Sequence, residues 1–111
     1  MFEDCLFCKI INKEIPSKFL YEDESVVVFK DINPAAPVHL LLVPKKHIRS
    51  MNDLKEEDKN ILARLFMIAK NMAREQGIDK SGYKLFLNVE KGGGQVIFHI
   101  HLHLIGGWKK K

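Results

Sequence analysis

Apolar positions in this chain fall into short runs broken by polar, turn-forming clusters, with one long periodic segment between them. Val26-Val27-Val28-Phe29 is β-branched and apolar, bounded by Asp23-Glu24-Ser25 and Asp31-Ile32-Asn33-Pro34, and predicts a strand. Val38 to Val43 predicts another, ending at Pro44. From Leu54 to Gln76 the apolar residues Leu54, Ile61, Leu62, Leu65, Phe66, Ala69, Met72 and Ala73 recur at three and four, the stripe of a long amphipathic helix. Asn52 or Asp53 would cap its start, with Glu56 and Glu57 in the first turn, and Gly77 sits where a helix-ending glycine belongs. Tyr83 to Val89 and Val96 to Ile105 predict two more strands, joined through the loop Glu90–Gln95. A short helix over Leu6 to Asn12, stopped by Pro16-Ser17, opens the chain. Hairpin-length connections favour an antiparallel sheet of about five strands with the long helix on one face, an α+β fold.

The 111 residues show no repeat or linker, so one domain over 1–111 is expected. No apolar run is long enough to span a membrane. Met1-Phe2-Glu3-Asp4 has no basic region followed by an apolar one, which argues against a signal peptide and for a cytoplasmic protein. The 18 basic and 14 acidic residues leave a net charge of +4, part of it in the terminal Lys109–Lys111, read as a solvated tail. That mild excess suits an anionic small molecule. Aromatic-basic interleaving of the kind that stacks bases is missing, so no nucleic-acid partner is expected. Both cysteines lie in Cys5-Leu6-Phe7-Cys8. This spacing gives a metal half-site or a redox pair, and its place beside Leu and Phe, with no strand-to-helix turn before it, favours metal.

The chemistry concentrates in Phe98-His99-Ile100-His101-Leu102-His103-Leu104. On a strand, side chains alternate, so His99, His101 and His103 share one face, roughly 7 Å apart, while Ile100, Leu102 and Leu104 face the core. A single strand histidine is usually a satisfied core residue; three in register are not. Two uses fit them: one zinc held by all three, or a reactive row at a substrate. Lys91-Gly92-Gly93-Gly94-Gln95 runs straight into the row. Successive glycines let backbone N–H groups converge on an anion, which beside three imidazoles suggests a phosphate cradle, although glycine runs also serve as plain turns.

The motif His-φ-His-φ-His-φ-φ, with φ apolar, is met by His99 through Ile105. Around it stand Cys5-Leu6-Phe7-Cys8, Glu14-Ile15-Pro16-Ser17, Asp31-Ile32-Asn33-Pro34, Pro37-Val38-His39, Pro44-Lys45-Lys46-His47, Asn88, Gly93-Gly94-Gln95 and Gly106-Gly107. Over nearly its whole length the chain resembles the histidine triad (HIT) family, in its Hint-like purine nucleoside phosphoramidase branch. The resemblance implies that His101 is the nucleophile toward the α-phosphorus of a nucleoside monophosphate derivative, a step within the reach of neutral imidazole. It implies that His103 and His39 flank the phosphate and that His99 supports the catalytic row. It also implies that Asp31 holds the ribose hydroxyls, that Ile32 lines the base pocket, and that Asn88, Gly94 and Gln95 serve the phosphate side. Read locally, Asp31 could equally form a turn before Asn33-Pro34, and His39 could be an ordinary strand histidine.

The same resemblance implies a structural zinc held by Cys5, Cys8, His47 and His99, and a homodimer built on the long helix and the Tyr83–Val89 strand. Trp108 corresponds to a tail residue that approaches the partner's site in Hint-like proteins. One position departs from the pattern: a serine commonly follows the glutamine and takes part in leaving-group protonation, whereas Val96 donates nothing. The leading expectation is hydrolysis of purine nucleoside 5′-phosphoramidates or acyl-adenylates through a nucleotidyl-His101 intermediate. Dinucleoside polyphosphate hydrolysis or nucleotidyl transfer is a second possibility, and a purine-nucleotide-binding scaffold with incidental hydrolysis is a third.

Overall fold

The computed structural model describes residues 4–109. Met1, Phe2 and Glu3 of the leader reading, and Lys110 and Lys111 of the lysine tail, lie outside the described residues. In chain order the elements are α1 (Leu6–Ile11), β1 (Tyr21–Glu22), β2 (Val26–Lys30), β3 (Val38–Pro44), α2 (Lys59–Glu75), β4 (Tyr83–Phe86) and β5 (Leu102–Gly106). The five strands form one antiparallel sheet in the order β1-β2-β3-β5-β4. Among the described residues, no helix is long and apolar enough to cross a membrane.

Strand alternation divides the core in two. Val26, Val28, Leu40, Leu42, Leu102 and Leu104 point to the face covered by α2 and pack on Leu65, Ile68, Ala69, Met72 and Ala73. Val27, Phe29, Leu41 and Val43 point to the other face, where Phe7 and Ile10 of α1 meet them. Because α1 is short, it covers only part of that second face. The uncovered remainder is where His39, His101 and His103 lie, and this is how the fold makes room for a site.

The expected elements are present with four corrections. α2 begins at Lys59, not Leu54, because two 3₁₀ turns, Met51–Asp53 and Glu56–Asp58, precede it. The Ser50 side chain accepts from the Asn52 N–H at 3.2 Å, and Asp58 turns back to the Lys55 N–H at 3.1 Å, so the capping groups close short turns and not the long helix. Within the stripe, Phe66 is 42% exposed, and Ile68, which the periodic reading omitted, is buried. The last strand starts at Leu102, not Val96. Its pairing with β3 runs from Val38↔Gly106 to Leu42↔Leu102. Two residues further, Pro44 would face Ile100, and proline has no N–H to continue the ladder. The Ile100 N–H instead donates to Ile48 O at 2.7 Å. Finally, β4 stops at Phe86, short of Val89, and the two-residue β1 had no sequence signal of its own. The helix end is as expected: Gly77 has φ +74, with Gly77 N–H to Arg74 O and Ile78 N–H to Ala73 O both at 3.0 Å, a Schellman closure.

Candidate active site

His39, His99 and His101 each have one ring nitrogen fixed by a backbone group, and His103 has one fixed by His39; each such contact sets the role of the other nitrogen. Ala35 N–H donates to His39 Nδ1 at 2.9 Å, so the proton of a neutral His39 sits on Nε2. That N–H reaches His103 Nδ1 at 2.9 Å, with Asp31 Oδ2 3.4 Å away. His103 must then carry its own proton on Nε2. This nitrogen is buried and has no hydrogen-bond partner. His101 Nδ1–H donates to the His99 carbonyl at 2.8 Å, which leaves the His101 Nε2 lone pair free. His99 Nε2–H donates to Pro44 O at 2.7 Å, so its Nδ1 carries a lone pair, which faces the two cysteines. The tautomers follow from the hydrogen-bond network.

Burial favours the neutral form of His99, His101 and His103. It pushes His99 down to about 4, with repulsion from His47 and His101 adding to the shift. It pushes His103 to about 4 as well, helped by His101 and His39. His101 is likewise lowered by burial below the ordinary imidazole value. The rings are held in place by packing. Phe7 of α1 stands edge-on to His101 with centroids 5.0 Å apart, and Phe86 stacks on His103 at 4.5 Å and 7°. Phe86 was not singled out from sequence; its register opposite His103 on the neighbouring strand is the signal that would have found it.

His101 and His103 open into a cavity of about 530 Å³. Asp31, Ile32, Asn88 and Gly94 line it, together with apolar side chains that include Phe7, Ile10, Phe29 and Leu41. Ile32 stands 89% exposed at this cavity. Asp31 combines both of its sequence readings: Oδ1 accepts from Asn33 N–H at 2.8 Å in a turn, while Oδ2 faces His39. Asn88 Nδ2 donates to Gly94 O at 3.4 Å, and Gly94 has φ +88, a backbone conformation that favours glycine.

Gln95 is placed elsewhere. It is buried, its Oε1 accepts from Glu90 N–H at 2.8 Å, and its Nε2 donates to Arg49 O at 2.8 Å and Ile97 O at 3.1 Å. With both ends of the amide engaged and no surface on the cavity, it fastens the glycine loop to the segment after β3. The carboxylate of Glu90 strengthens that fastening through Arg49 and the Ser50 hydroxyl, the latter at 2.7 Å. Glu90 holds φ +60 there, uncommon for a residue with a side chain. Sequence reading passed over Glu90, since nothing in its neighbours announces that backbone angle.

A second cluster lies beside the first. Cys5 Sγ is 3.3 Å from His99 Nδ1, Cys8 Sγ is 3.3 Å from His47 Nδ1 and 3.6 Å from His99 Nδ1, and the two Nδ1 atoms are 3.2 Å apart. Bonds of about 2.3 Å to sulfur and 2.0–2.1 Å to nitrogen at the tetrahedral angle put ligand atoms about 3.3–3.8 Å apart. The donor set and its spacing thus fit a four-coordinate zinc. Without a metal, burial and the neighbouring Cys5 push the Cys8 thiol up to about 11. Asp31, His39 and His103 also come close enough to share an ion. There, however, Ala35 N–H occupies His39 Nδ1 and leaves Nε2 protonated, so this group is a hydrogen-bond relay.

Comparison with known proteins agrees with this geometry. Residues 4–110 match the family model described as "Scavenger mRNA decapping enzyme C-term binding". The chain is 43% identical over 107 residues to a purine nucleoside phosphoramidase of Escherichia coli, covering 96% of this chain and 90% of that one. It is 45% identical over 104 residues to protein HitA of Neisseria gonorrhoeae, covering 94% and 96%. Among solved structures, a HIT family hydrolase from Clostridium thermocellum superposes with a TM-score of 0.95 at 45% identity, over 100% of this chain and 96% of that one. A HIT family hydrolase from Legionella pneumophila gives 0.92 at 48%, over 95% and 94%. Near-complete coverage at these identities, on the five-stranded fold and the histidine row described above, establishes that the chain belongs to the histidine triad family.

Proposed function

We propose that the chain is a HIT-type nucleotide hydrolase that cleaves purine nucleoside 5′-phosphoramidates or acyl-adenylates, with His101 as the nucleophile. The observation that carries this reading is the pairing of a free His101 Nε2 with an unpartnered, buried His103 Nε2–H at one cavity. His101 Nε2 attacks the α-phosphorus, and the bond to the leaving nitrogen or acyl oxygen breaks with its electron pair, a nitrogen taking a proton from water so that it departs as the amine. The His103 N–H donates to a non-bridging oxygen, where an unsatisfied buried donor is worth most. Asp31 is suited to the ribose hydroxyls, and the apolar side chains of the cavity to the base. Water then cleaves the phosphorus–nitrogen bond, releasing the nucleoside monophosphate and restoring His101.

We also assign a zinc ion to Cys5, Cys8, His47 and His99. When bound it supplies a rigid structural anchor. Its use to the reaction runs through His99, whose carbonyl holds the His101 proton. A homodimer is proposed on two grounds. β4 is an outer strand of the sheet, and α2 leaves Phe66 42% and Met67 54% exposed. Sedimentation showing only monomer at micromolar concentration would remove the dimer.

The deciding experiment is mass spectrometry after brief incubation with adenosine 5′-phosphoramidate. A transient adduct of one nucleoside monophosphate is expected on the unaltered protein and absent in His101→Ala. An adduct that persists in the variant would overturn the assignment of the nucleophile. Nucleotide binding without adduct or turnover would favour the scaffold.

A further inference from the structure

A second cavity of about 460 Å³ adjoins the nucleotide cavity; Cys5 and His47 of the proposed zinc site are among its lining residues, and the apolar rest has no part in the reading above. Leu6, Val96 and Ile97 line both cavities, so these three side chains form the wall between them. On the far side the wall continues into Phe98, whose ring carries the Arg49 guanidinium at 4.6 Å. Val96 is 84% exposed, Leu6 40% and Phe98 36%. A contiguous group of exposed apolar side chains beside a reactive centre is a surface that gains by being covered. Charge narrows what can cover it: Asp4 lines this cavity, and among the described residues no lysine or arginine does.

We propose that this second cavity is a leaving-group subsite, which takes an apolar alkyl or aryl chain attached to the phosphorus and disfavours an anionic one. The inference rests on the nucleoside monophosphate occupying the first cavity. A phosphorus within bonding distance of His101 lies in the cavity that Val96 and Ile97 border. Whatever the phosphorus carries besides the nucleoside then passes over that border into the second cavity. Carbon lines the passage, so a hydrocarbon chain loses water there without losing hydrogen bonds. A second nucleotide, as in a dinucleoside polyphosphate, would bring phosphate charge toward Asp4, with no lysine or arginine in the lining to meet it.

The test uses alkyl esters of adenosine 5′-monophosphate as stable binding probes, with methyl, butyl and hexyl chains, and the matching N-alkyl phosphoramidates for turnover. Affinity should rise about two- to fourfold per methylene until the cavity is filled. A carboxylate at the end of the hexyl chain should cancel that gain. Phe98→Ala touches only the second cavity. It should flatten the series while leaving binding of adenosine 5′-monophosphate within about twofold. Val96→Asp, at an exposed position that folding tolerates, should weaken the hexyl probe far more than the methyl one. A flat series in the unaltered protein, with normal binding of adenosine 5′-monophosphate, would overturn the subsite alone. So would a slope that survives both substitutions. Failure to bind adenosine 5′-monophosphate at all would overturn the nucleotide reading and the subsite with it.

Discussion

His39 touches no reacting atom in the proposed mechanism, yet it determines what His103 can do. Its Nε2–H, oriented by the Ala35 amide, occupies His103 Nδ1 and leaves the His103 proton facing the cavity. His39→Ala removes that constraint, so His103 can place its proton on Nδ1 and present a lone pair to the phosphate. Steady-state kinetics should show kcat lower by roughly 10- to 100-fold, the worth of one charge-assisted hydrogen bond. His39→Gln, which keeps an N–H donor, should recover part of the loss. Burial holds His101 below 6.5, so the acidic limb of the rate profile should lie below that pH and the rate should be level from 7 to 8. The histidine row was legible because period-two spacing maps directly onto one face. The hydrogen bonds of the Gln95 amide to Glu90, Arg49 and Ile97 were not legible, because they follow a positive φ at Glu90 that no spacing rule reports.

Secondary structure was legible where one periodicity ran unbroken and illegible where side chains interrupted it. The apolar stripe located α2, yet Ser50 and Asp58 divided its start into two tight turns, and Pro44 shortened β5 from the neighbouring strand. Such effects act across elements, beyond the reach of a pattern read along the chain. Two glycines test the local geometry. At Gly77 a Cβ would meet nothing within 4 Å, so Gly77→Ala carries only the strain of φ +74, about 1 kcal/mol, seen as a small drop in melting temperature. At Gly106 a Cβ would lie 2.8 Å from Ile78 Cδ1, 3.1 Å from Gly82 O and 3.2 Å from Tyr83 Cβ. Gly106→Ala should therefore cost more, about 1–3 kcal/mol, since the Gly82 carbonyl belongs to the backbone and cannot turn aside. A smaller loss at Gly106 than at Gly77 would contradict this packing.

For the molecule as a whole, the two clusters share His99, so the proposed metal would couple stability to reactivity. Removing zinc with a chelator should lower the melting temperature and, by loosening α1 with its Phe7, reduce turnover; addition of zinc should restore both. No change in either would remove the metal from the account. Stability should also follow pH in a defined direction. His103 has a folded value of about 4 against an ordinary 6.5, so between these values the unfolded chain binds more protons. Stability is thus full above about 6.5 and is lost as the pH falls toward 4, which acid titration followed by circular dichroism would measure. The link from Cys5 to His99 closes a separation of 94 residues. Pairing so distant in sequence forms late, because the loop entropy must be met before any contact rewards it. On the ribosome, the cysteines and Phe7 emerge long before the triad segment that completes their cluster. On the proposed reading, the nascent chain carries no organised acceptor for a nucleotidyl group until the triad segment has been made and has paired with β3.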